Sequence, residues 1–385
     1  MNKKSMFCLA GCASAVLLCS PVMAEETKEA VLSDDIYSFS LLLDGDLYEF
    51  PMSYEDFTAL GWEYKDDAGT EISPNQYSPS ETFSKGNLDA YAKIINLGIN
   101  TLPVSECTVG GLSIDSWQFE DAPDTVIEFP KGIVFGKSTL EDIKAAYGEP
   151  SDTYEGDLYT MLSYEYDYYQ EIEFYVDKET GVIDEFDIEN FVVDEESNAA
   201  AAAEVSSDPT EEVLAYTAPT ELGDDLLSFI VEYAGDLYQL PAPVSVFLEN
   251  GWTLKEKDSD SVIAGKDFGW VYMMKDNQEY HSTVRNYSPN AAAIENCFVT
   301  SVESSVDSTN LPITIQKGIT LGMSNEDLLA ALEGEDYETD DSSDMFIYYT
   351  IEGKESSLDG IQILVKREDN AVTSIEVEYE PDTLS

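Results

Sequence analysis

Apolar and polar residues alternate with a two-residue period in several segments, as is typical of strands that are buried on one face. In the segment 182–189, the acidic Glu185 and Asp187 alternate with apolar residues. We predict strands in this segment and in four others: 92–97, 104–114, 160–167 and 171–177. Short helical segments lie between the strands. The pattern therefore predicts an α+β fold in which short helices pack against antiparallel sheet.

Turn and capping residues mark the ends of these elements. In the segment SFSLLLDGDLYEFP, residues 38–51, Asp44 and Gly45 supply the positive φ that a tight hairpin turn needs. Ser53 suits the N-cap of a short helix that ends at Gly61. Ser138, with Glu141 three residues later, predicts the start of a second helix.

The sequence repeats itself. A shift of 190 superimposes five features of the first half on the second: Phe39 on Phe229, GDLY at 45–48 on GDLY at 235–238, Trp62 on Trp252, Asn96 on Asn286, and Cys107 on Cys297. Shifts of 186 and 189 align later segments, as loop insertions and deletions would produce. We therefore predict two tandem homologous units, 36–192 and 226–381. A flexible segment, 25–35, precedes them, and an acidic linker rich in Ala, Ser and Pro joins them at 193–225.

The first 24 residues have the pattern of a secretory signal peptide. Lys3 and Lys4 precede an apolar stretch, and small residues end at Ala24 before an acidic run. Cleavage near Ala24 would leave a secreted or extracellular protein. Leu9 to Cys12 also resembles a bacterial lipobox, so lipid anchoring at Cys12 is the alternative. We predict no transmembrane segment in the mature chain.

The charge balance narrows the range of partners. The chain has 19 basic and 78 acidic residues, a formal net charge of −59. Nucleic-acid binding requires clustered Lys and Arg, so the composition excludes it. Such acidity is typical of a solvated extracellular protein, and the alternative is attraction to divalent cations or cationic partners. The best calcium loops, 177–181 and 340–344, do not fit EF-hand spacing, so we expect solvated turns and no cofactor, with calcium as the alternative.

A resemblance rests on the order of motifs in the first unit: Tyr48 to Pro51, Gly61-Trp62, Asn96, Cys107 with Val109, and Lys131 to Ser138 followed by Gly148 and Pro150. Their order resembles uncharacterised exported repeat proteins of Gram-positive bacteria. The second half of each unit is similar to the repeat of small lipoproteins and β-lactamase-inhibitor proteins. The resemblance implies a role in binding proteins or the envelope and transfers no catalytic residue. The second unit departs from it, because Glu335-Asp336 stands where the proline is expected.

The residues offer little for catalysis. His281 is the only histidine, its counterpart in the first unit is Tyr91, and no nucleophile elbow or phosphate loop accompanies it. Carboxylate pairs, as in glycosidases, are the enzymatic alternative, but no pair stands out. We therefore predict an exported, non-enzymatic binding or scaffold protein whose partner is an unknown protein or a cell-envelope glycan. A divalent-cation-binding protein and a carboxylate-dependent hydrolase are the alternatives.

Two sets of residues are candidates for a site. Tyr164, Tyr166 and Tyr168 share one face of a predicted strand, either packed in the core or exposed as an aromatic platform. We take Tyr164 and Tyr168 as the platform and expect Tyr166 in the core, because its counterpart is an isoleucine. Cys107 and Cys297 occupy equivalent positions, where they are either separate core residues or joined by a disulfide between the units.

Overall fold

We describe a computed structural model of the chain, which covers residues 31–308, 310–354 and 359–384. The predicted signal peptide, Cys12 and residues 25–30 lie outside these described residues. From Leu32 onward the contacts form one compact unit. About 18% of the chain is helix and 42% is strand, and the strands pair antiparallel. The predicted α+β class is confirmed.

Fifteen strands lie in the first half of the described chain. They are β1 Ser40–Leu43, β2 Asp46–Glu49, β3 Met52–Ser53, β4 Glu63–Tyr64, β5 Glu71–Ile72, β6 Tyr77–Lys85, β7 Leu88–Ile95, β8 Leu102–Pro103, β9 Thr108–Asp115, β10 Ile127–Phe129, β11 Ile133–Val134, β12 Asp152–Glu155, β13 Tyr159–Asp167, β14 Gln170–Asp177 and β15 Ile183–Asn190.

Sixteen strands follow in the second half of the described chain. They are β16 Ile230–Tyr233, β17 Asp236–Gln239, β18 Ala242–Pro243, β19 Thr253–Leu254, β20 Val262–Ile263, β21 Phe268–Lys275, β22 Gln278–Arg285, β23 Ala292–Ala293, β24 Phe298–Val299, β25 Ser301–Ser305, β26 Ile313–Ile315, β27 Ile319–Thr320, β28 Glu338–Asp340, β29 Phe346–Glu352, β30 Gly360–Lys366 and β31 Ala371–Glu378.

The described helices are short. They are α1 Tyr54–Ala59, α2 Ser116–Phe119, α3 Leu140–Tyr147, α4 Glu195–Ala203, α5 Glu211–Ala215, α6 Val244–Glu249 and α7 Asn325–Ala331, with short 3₁₀ turns between other elements. In the part of the chain that the structure describes, no helix is long and apolar enough to cross a membrane.

In the described part of the first half, two large sheets are accompanied by the two-stranded sheet β5-β8. One has the order β11-β10-β1-β2, and the other is nine-stranded, with the order β12-β13-β14-β15-β9-β7-β6-β4 and β3 paired to β9. Apolar residues of the inner sheet faces and of the short helices form one core, which includes Phe57, Phe129, Phe174 and Phe186.

The second half has sheets built from the equivalent strands. A four-stranded sheet has the order β17-β16-β26-β27. The strands equivalent to the large sheet form two five-stranded sheets, β18-β24-β22-β21-β19 and β25-β31-β30-β29-β28. They separate at Thr300, which lies between β24 and β25. A second core fills this half.

The hairpin predicted from local turn chemistry is confirmed. Asp44 and Gly45 have φ values of 54° and 89°, and Ala234 and Gly235 have 50° and 91°. Each pair connects two antiparallel strands, β1 to β2 and β16 to β17. The proline that follows the second strand is preceded by a cis peptide bond in both halves.

One local prediction needs correction. Helix α3 is capped by Thr139, whose side chain forms a capping box with Asp142. Ser138 accepts a hydrogen bond from the Val134 amide instead, so the cap lies one residue later than predicted. The predicted linker contains α4 and α5, and Asn198 of α4 donates a 2.8 Å hydrogen bond to the carbonyl of Leu97.

The two halves meet through two asparagine-bounded loops. The side chain of Asn96 donates to the carbonyl of Asn100 at 2.7 Å, and Asn286 donates in the same way to Asn290 at 2.8 Å. The backbone amide of Ala291 then donates to Asn100 Oδ1 at 2.8 Å. These hydrogen bonds close each loop on itself and join the first half to the second.

Candidate functional site

Tyr164 belongs to the core. Its side chain is buried on the inner face of β13, and its hydroxyl donates a 3.0 Å hydrogen bond to the carbonyl of Gly148. Burial, with the charge of Glu149 as a smaller cause, raises the pKa of Tyr164 to about 12. The platform prediction is therefore wrong for Tyr164, and the alternative of core packing is correct.

Tyr166 is exposed, although we expected it in the core. Its side chain is 65% exposed and contacts the ring of Tyr37, with ring centroids 5.3 Å apart. The pairing of β13 with β14 passes from Glu165 to Asp167 through an irregularity that leaves Tyr166 without a partner. Such a bulge turns a side chain away from the alternating pattern, so neither the strand period nor the isoleucine counterpart predicts the environment of Tyr166 correctly.

Tyr168 lies at the tip of the β13–β14 hairpin and is 74% exposed, as the platform prediction requires. Its neighbour Tyr169 is the residue that sequence reasoning missed. The two rings have centroids 4.1 Å apart, and Tyr169 also lies 5.9 Å from the ring of Phe191 and 6.3 Å from that of Tyr77. We call Tyr77, Tyr168, Tyr169 and Phe191 the tyrosine surface.

The tyrosine surface borders a small apolar cavity of about 170 Å³. Ile95, Leu97 and Val193 complete its walls together with Asn75 and three rings of the surface. Tyr77 and Phe191 themselves lie 5.3 Å apart. The surface therefore combines a flat aromatic area with a depression that an apolar group can enter. Its members come from β6, the β13–β14 turn and the end of β15, which is why no single sequence segment reveals it.

The backbone at Tyr169 is unfavourable. Its φ is 57°, in the left-handed region that disfavours residues with a Cβ by about 1–2 kcal/mol. Gly, Asn or Asp is the usual choice there. Tyrosine at the tip of an exposed hairpin is therefore favoured neither by the turn geometry nor by solvation. Strain of this kind concentrates at functional sites.

The rest of the large sheet's outer face is acidic. Glu173, Asp187 and Ser113 lie opposite one another on β14, β15 and β9, and Glu185 lies opposite Asp115 in the next pair of that face. Burial, followed by the charges of Asp115 and Asp187, raises the pKa of Glu185 to about 7.

Lys93 is the cation of this acidic face. Its Nζ lies 2.7 Å from Asp187 Oδ1 and 2.7 Å from Glu189 Oε2. Burial raises the pKa of Asp187 to about 6, although Lys93 acts in the opposite direction. Burial lowers the pKa of Lys93, but the two carboxylates together raise it above its ordinary value.

The carboxylates of this face do not share an enclosed cleft with the apolar cavity. Neither that cavity nor the largest groove we describe is lined by Glu173, Glu185 or Asp187. That groove, of about 500 Å³, lies between the end of the linker and the second half, where Tyr379 stacks on Phe229 with centroids 4.4 Å apart. The arrangement suits surface contact better than enclosure of a substrate.

Cys107 and Cys297 are separate, buried free thiols. The sulfur of Cys107 lies 3.4 Å from the carbonyl of Pro103, and that of Cys297 lies 3.6 Å from the carbonyl of Ala293. Each thiol thus faces a carbonyl four residues earlier in its own half. The structure contains no Cys107–Cys297 bond, and the core alternative describes both residues.

The predicted calcium loops use their acidic groups locally. Asp177 Oδ1 accepts the amides of Glu179 and Thr180, and Asp340 Oδ1 accepts that of Ser342. Among the described residues, no group of three or more His, Cys, Asp or Glu side chains is arranged to hold a metal ion. His281 is exposed on β22 and stacks on Tyr272, with centroids 5.5 Å apart.

The comparisons with known proteins give no family for the chain: no protein-family model, no curated protein and no solved structure matches it.

Proposed function

We propose that this protein is an exported, non-enzymatic binding protein, and that the tyrosine surface is its binding surface. The observation that carries the proposal is the exposed pair Tyr168 and Tyr169 at a turn where Tyr169 holds a left-handed backbone. Tyrosine provides a large, rigid contact area with a polar end, and it is enriched at interfaces. Nothing in the packing of the core requires these two rings at the hairpin tip.

The partner that fits this surface best is a protein with basic residues next to an apolar side chain. Glu165 and Asp167 are exposed beside the tyrosines, and the chain as a whole carries a formal charge of −59. Basic groups would be attracted to these carboxylates and to the tyrosine faces. An apolar side chain would enter the 170 Å³ cavity. A cell-envelope glycan is the competing partner.

The proposed binding protein is built from two tandem homologous units. Supporting features are the GDLY hairpin with the same backbone angles and the four-stranded sheet of corresponding order. The tyrosine surface belongs to the first unit. The equivalent hairpin segment of the second unit, 352–360, contains no aromatic residue.

Export is the part of the proposal that rests on the N-terminal sequence. Lys3 and Lys4, the apolar stretch and the small residues before Glu25 support a cleaved signal, with a lipid-anchored Cys12 as the alternative. N-terminal sequencing of protein recovered from the medium should begin at Glu25. Protein that remains with the membranes and carries a lipid on Cys12 would replace free secretion with anchoring.

One observation favours a hydrolase as the second candidate. The pKa of Glu185, raised to about 7, suits a general acid. A glycosidase also needs a second carboxylate across a cleft that holds the substrate, and Glu185 lines neither of the two cavities discussed above. Binding is therefore the better-supported function. The cation-binding alternative would instead give a melting temperature that rises with added calcium.

The binding proposal is tested by capture from a cell-envelope protein extract, with purified peptidoglycan as the glycan probe. The test variant is Tyr168→Ala with Tyr169→Gly, which removes both rings and keeps a residue that accepts positive φ. The control is Tyr154→Ala, an exposed tyrosine on β12. A protein captured by the wild type and the control, and at least about tenfold less by the test variant, supports the proposal.

Two results would contradict this proposal. Equal capture by all three proteins would show that the tyrosine surface does not bind the captured protein. Retention on peptidoglycan that depends on Tyr168 and Tyr169 would keep the surface but replace the protein partner with a glycan.

A further inference from the structure

Lys93 reaches across a neighbouring strand to two carboxylates. On the outer face of the large sheet, Gly111 of β9 is the register partner both of Lys93 on β7 and of Glu189 on β15. A Cβ at Gly111 would lie 1.9 Å from the carbonyl oxygen of Ile188, so this position accepts no side chain. The glycine therefore leaves an open path over β9, along which the lysine side chain extends to β15.

The amine is held tightly at the end of this path. Lys93 Nζ donates a hydrogen bond to Glu189 Oε2 and lies equally close, at 2.7 Å, to Asp187 Oδ1. Among the described residues, Asp187 Oδ1 has no hydrogen-bond donor aligned with it. The side chains of Lys93 and Glu189 are each only 11% exposed, and that of Asp187 is 25% exposed. An amine and a carboxyl group are thus in contact in a partly water-excluded place, with a second carboxylate beside them.

We propose that Lys93 and Asp187 form an intramolecular isopeptide bond, an amide that joins β7 to β15 across β9. Fixing an amine and a carboxyl group in contact replaces a bimolecular encounter by an intramolecular one, and effective molarities for well-oriented pairs reach roughly 10⁵–10⁸ M. This proximity is the driving factor for a condensation that is negligible between free groups in water. The bond would act as a staple within the sheet, comparable to a disulfide that closes a long loop.

The reaction balances without a further reagent. Asp187 takes up one proton from the solvent and the Lys93 ammonium transfers one proton to the Glu189 carboxylate, after which the neutral amine attacks Cγ of the Asp187 carboxyl group. The Nζ–Cγ bond forms, one C–O bond of Asp187 breaks, and the oxygen leaves as water with the hydroxyl proton and one proton of the amine. Glu189 is left protonated and then returns to the carboxylate. No atom is oxidised or reduced.

Two other positions in the chain can be compared with Lys93. Lys255 also lies between two carboxylates, 2.8 Å from Asp258 and 2.6 Å from Glu279, but these three side chains are 31%, 49% and 48% exposed. Water reaches all three groups, so we expect this site to stay an ordinary ion pair. In the second half, Thr283 stands where Lys93 is expected by the shift of 190, so that half cannot form the bond.

The test is the intact mass of the full purified chain, measured after unfolding in guanidinium, together with a tryptic peptide map. We expect the wild type to be lighter by one water molecule than its sequence mass. Its map should contain a branched peptide that links Lys93 to Asp187, with no cleavage after Lys93 and normal cleavage after Lys255. Lys93→Arg keeps the positive charge without a reactive amine and should have the full mass, and Glu189→Gln should also remain unlinked.

A wild-type chain with its full mass and with cleavage after Lys93 would overturn the proposal. Loss of water that maps to any other residue would overturn it as well. Because the wild-type measurement decides the question alone, a variant that folds poorly does not weaken the test.

Discussion

The indole Nε1 of Trp62 donates a 3.0 Å hydrogen bond to the hydroxyl of Tyr48, and both side chains are buried. Trp252 donates in the same way to Tyr238, at 3.1 Å. The two motifs that recur in the sequence, GDLY and Gly-Trp, therefore supply the acceptor and the donor of one buried hydrogen bond. A buried indole N–H needs an acceptor, which gives a physical reason for tyrosine and tryptophan to recur together.

Tyr48→Phe should lower the free energy of unfolding by about 1–3 kcal/mol, because it leaves the indole N–H of Trp62 buried without an acceptor. The Tyr48 hydroxyl also accepts from Lys85 Nζ at 3.1 Å, and this contact is lost as well. Urea unfolding followed by tryptophan fluorescence measures the change. Tyr154→Phe, at an exposed position, is the control and should leave the midpoint unchanged. A Tyr48→Phe variant as stable as the control would show that the contact contributes nothing.

The free energy of unfolding should fall as the pH rises from about 4.5 to about 7, the ordinary and the folded-state pKa of Glu185. The folded state raises the pKa of Glu185 from 4.5 to about 7, because of burial and the facing carboxylates Asp115, Asp187, Asp184 and Glu173. The folded state therefore binds a proton that the unfolded chain has released, so this contribution is fully present below about pH 4.5 and is lost as the pH rises through about 7.

The measurement for Glu185 is a thermal melt at pH 5.5 and at pH 8, for the wild type and for Glu185→Gln. We expect the wild type to melt a few degrees lower at pH 8 than at pH 5.5. The variant, which cannot ionise, should show a smaller difference between the two pH values. An identical pH dependence in both proteins would contradict the assignment.

Cys107 and Cys297 should react with iodoacetamide only after unfolding, without added reductant. Burial raises the pKa of Cys107 to about 11, with Glu106 as a smaller cause, and burial likewise raises the pKa of Cys297. The reactive thiolate is therefore scarce at neutral pH, and the folded core restricts access to the sulfur. Recovery of a peptide in which the two residues are joined by a disulfide would contradict the structure.

The parts of the fold that sequence predicted are those with local causes. Asp44-Gly45 defines its hairpin because the needed φ depends on those two residues alone, and Ser53 caps α1 by accepting a hydrogen bond from the amide of Asp56, three residues later. Strand alternation likewise placed Glu185 and Asp187 on an outer face, because a strand side chain's face follows from its parity.

The features that the sequence did not predict depend on contacts between residues that are far apart along the chain. The environment of Tyr166 depends on a bulge against β14, and Tyr169 acquires its role from Phe191 and Tyr77, which arrive from other strands. The sequence around Lys93 does not reveal its ion pairs, because Asp187 and Glu189 lie on β15. That strand does not pair with β7, the strand of Lys93, since β9 lies between them. The sequence predicted an exposed Tyr168, but neither its neighbour Tyr169 nor their joint surface.

Removal of the two hairpin tyrosines should separate binding from stability. In Tyr168→Ala with Tyr169→Gly, relief of the left-handed backbone returns about 1–2 kcal/mol, whereas the ring contacts of Tyr169 with Tyr168, Phe191 and Tyr77 are worth about 0.5–1.5 kcal/mol per aromatic pair. We therefore expect the free energy of unfolding to fall by no more than about 3.5 kcal/mol, measured by urea unfolding. A large loss of stability would mean that these rings serve the fold, and the binding proposal would lose its main support.

Contact between Tyr168 and the partner is tested most directly with a photo-crosslinking amino acid. An aromatic benzophenone residue placed at position 168, and at position 154 as the control, is irradiated in a cell-envelope extract. We expect a discrete crosslinked protein from position 168 and none from position 154. The same pattern from both positions, or no product from position 168, would contradict it.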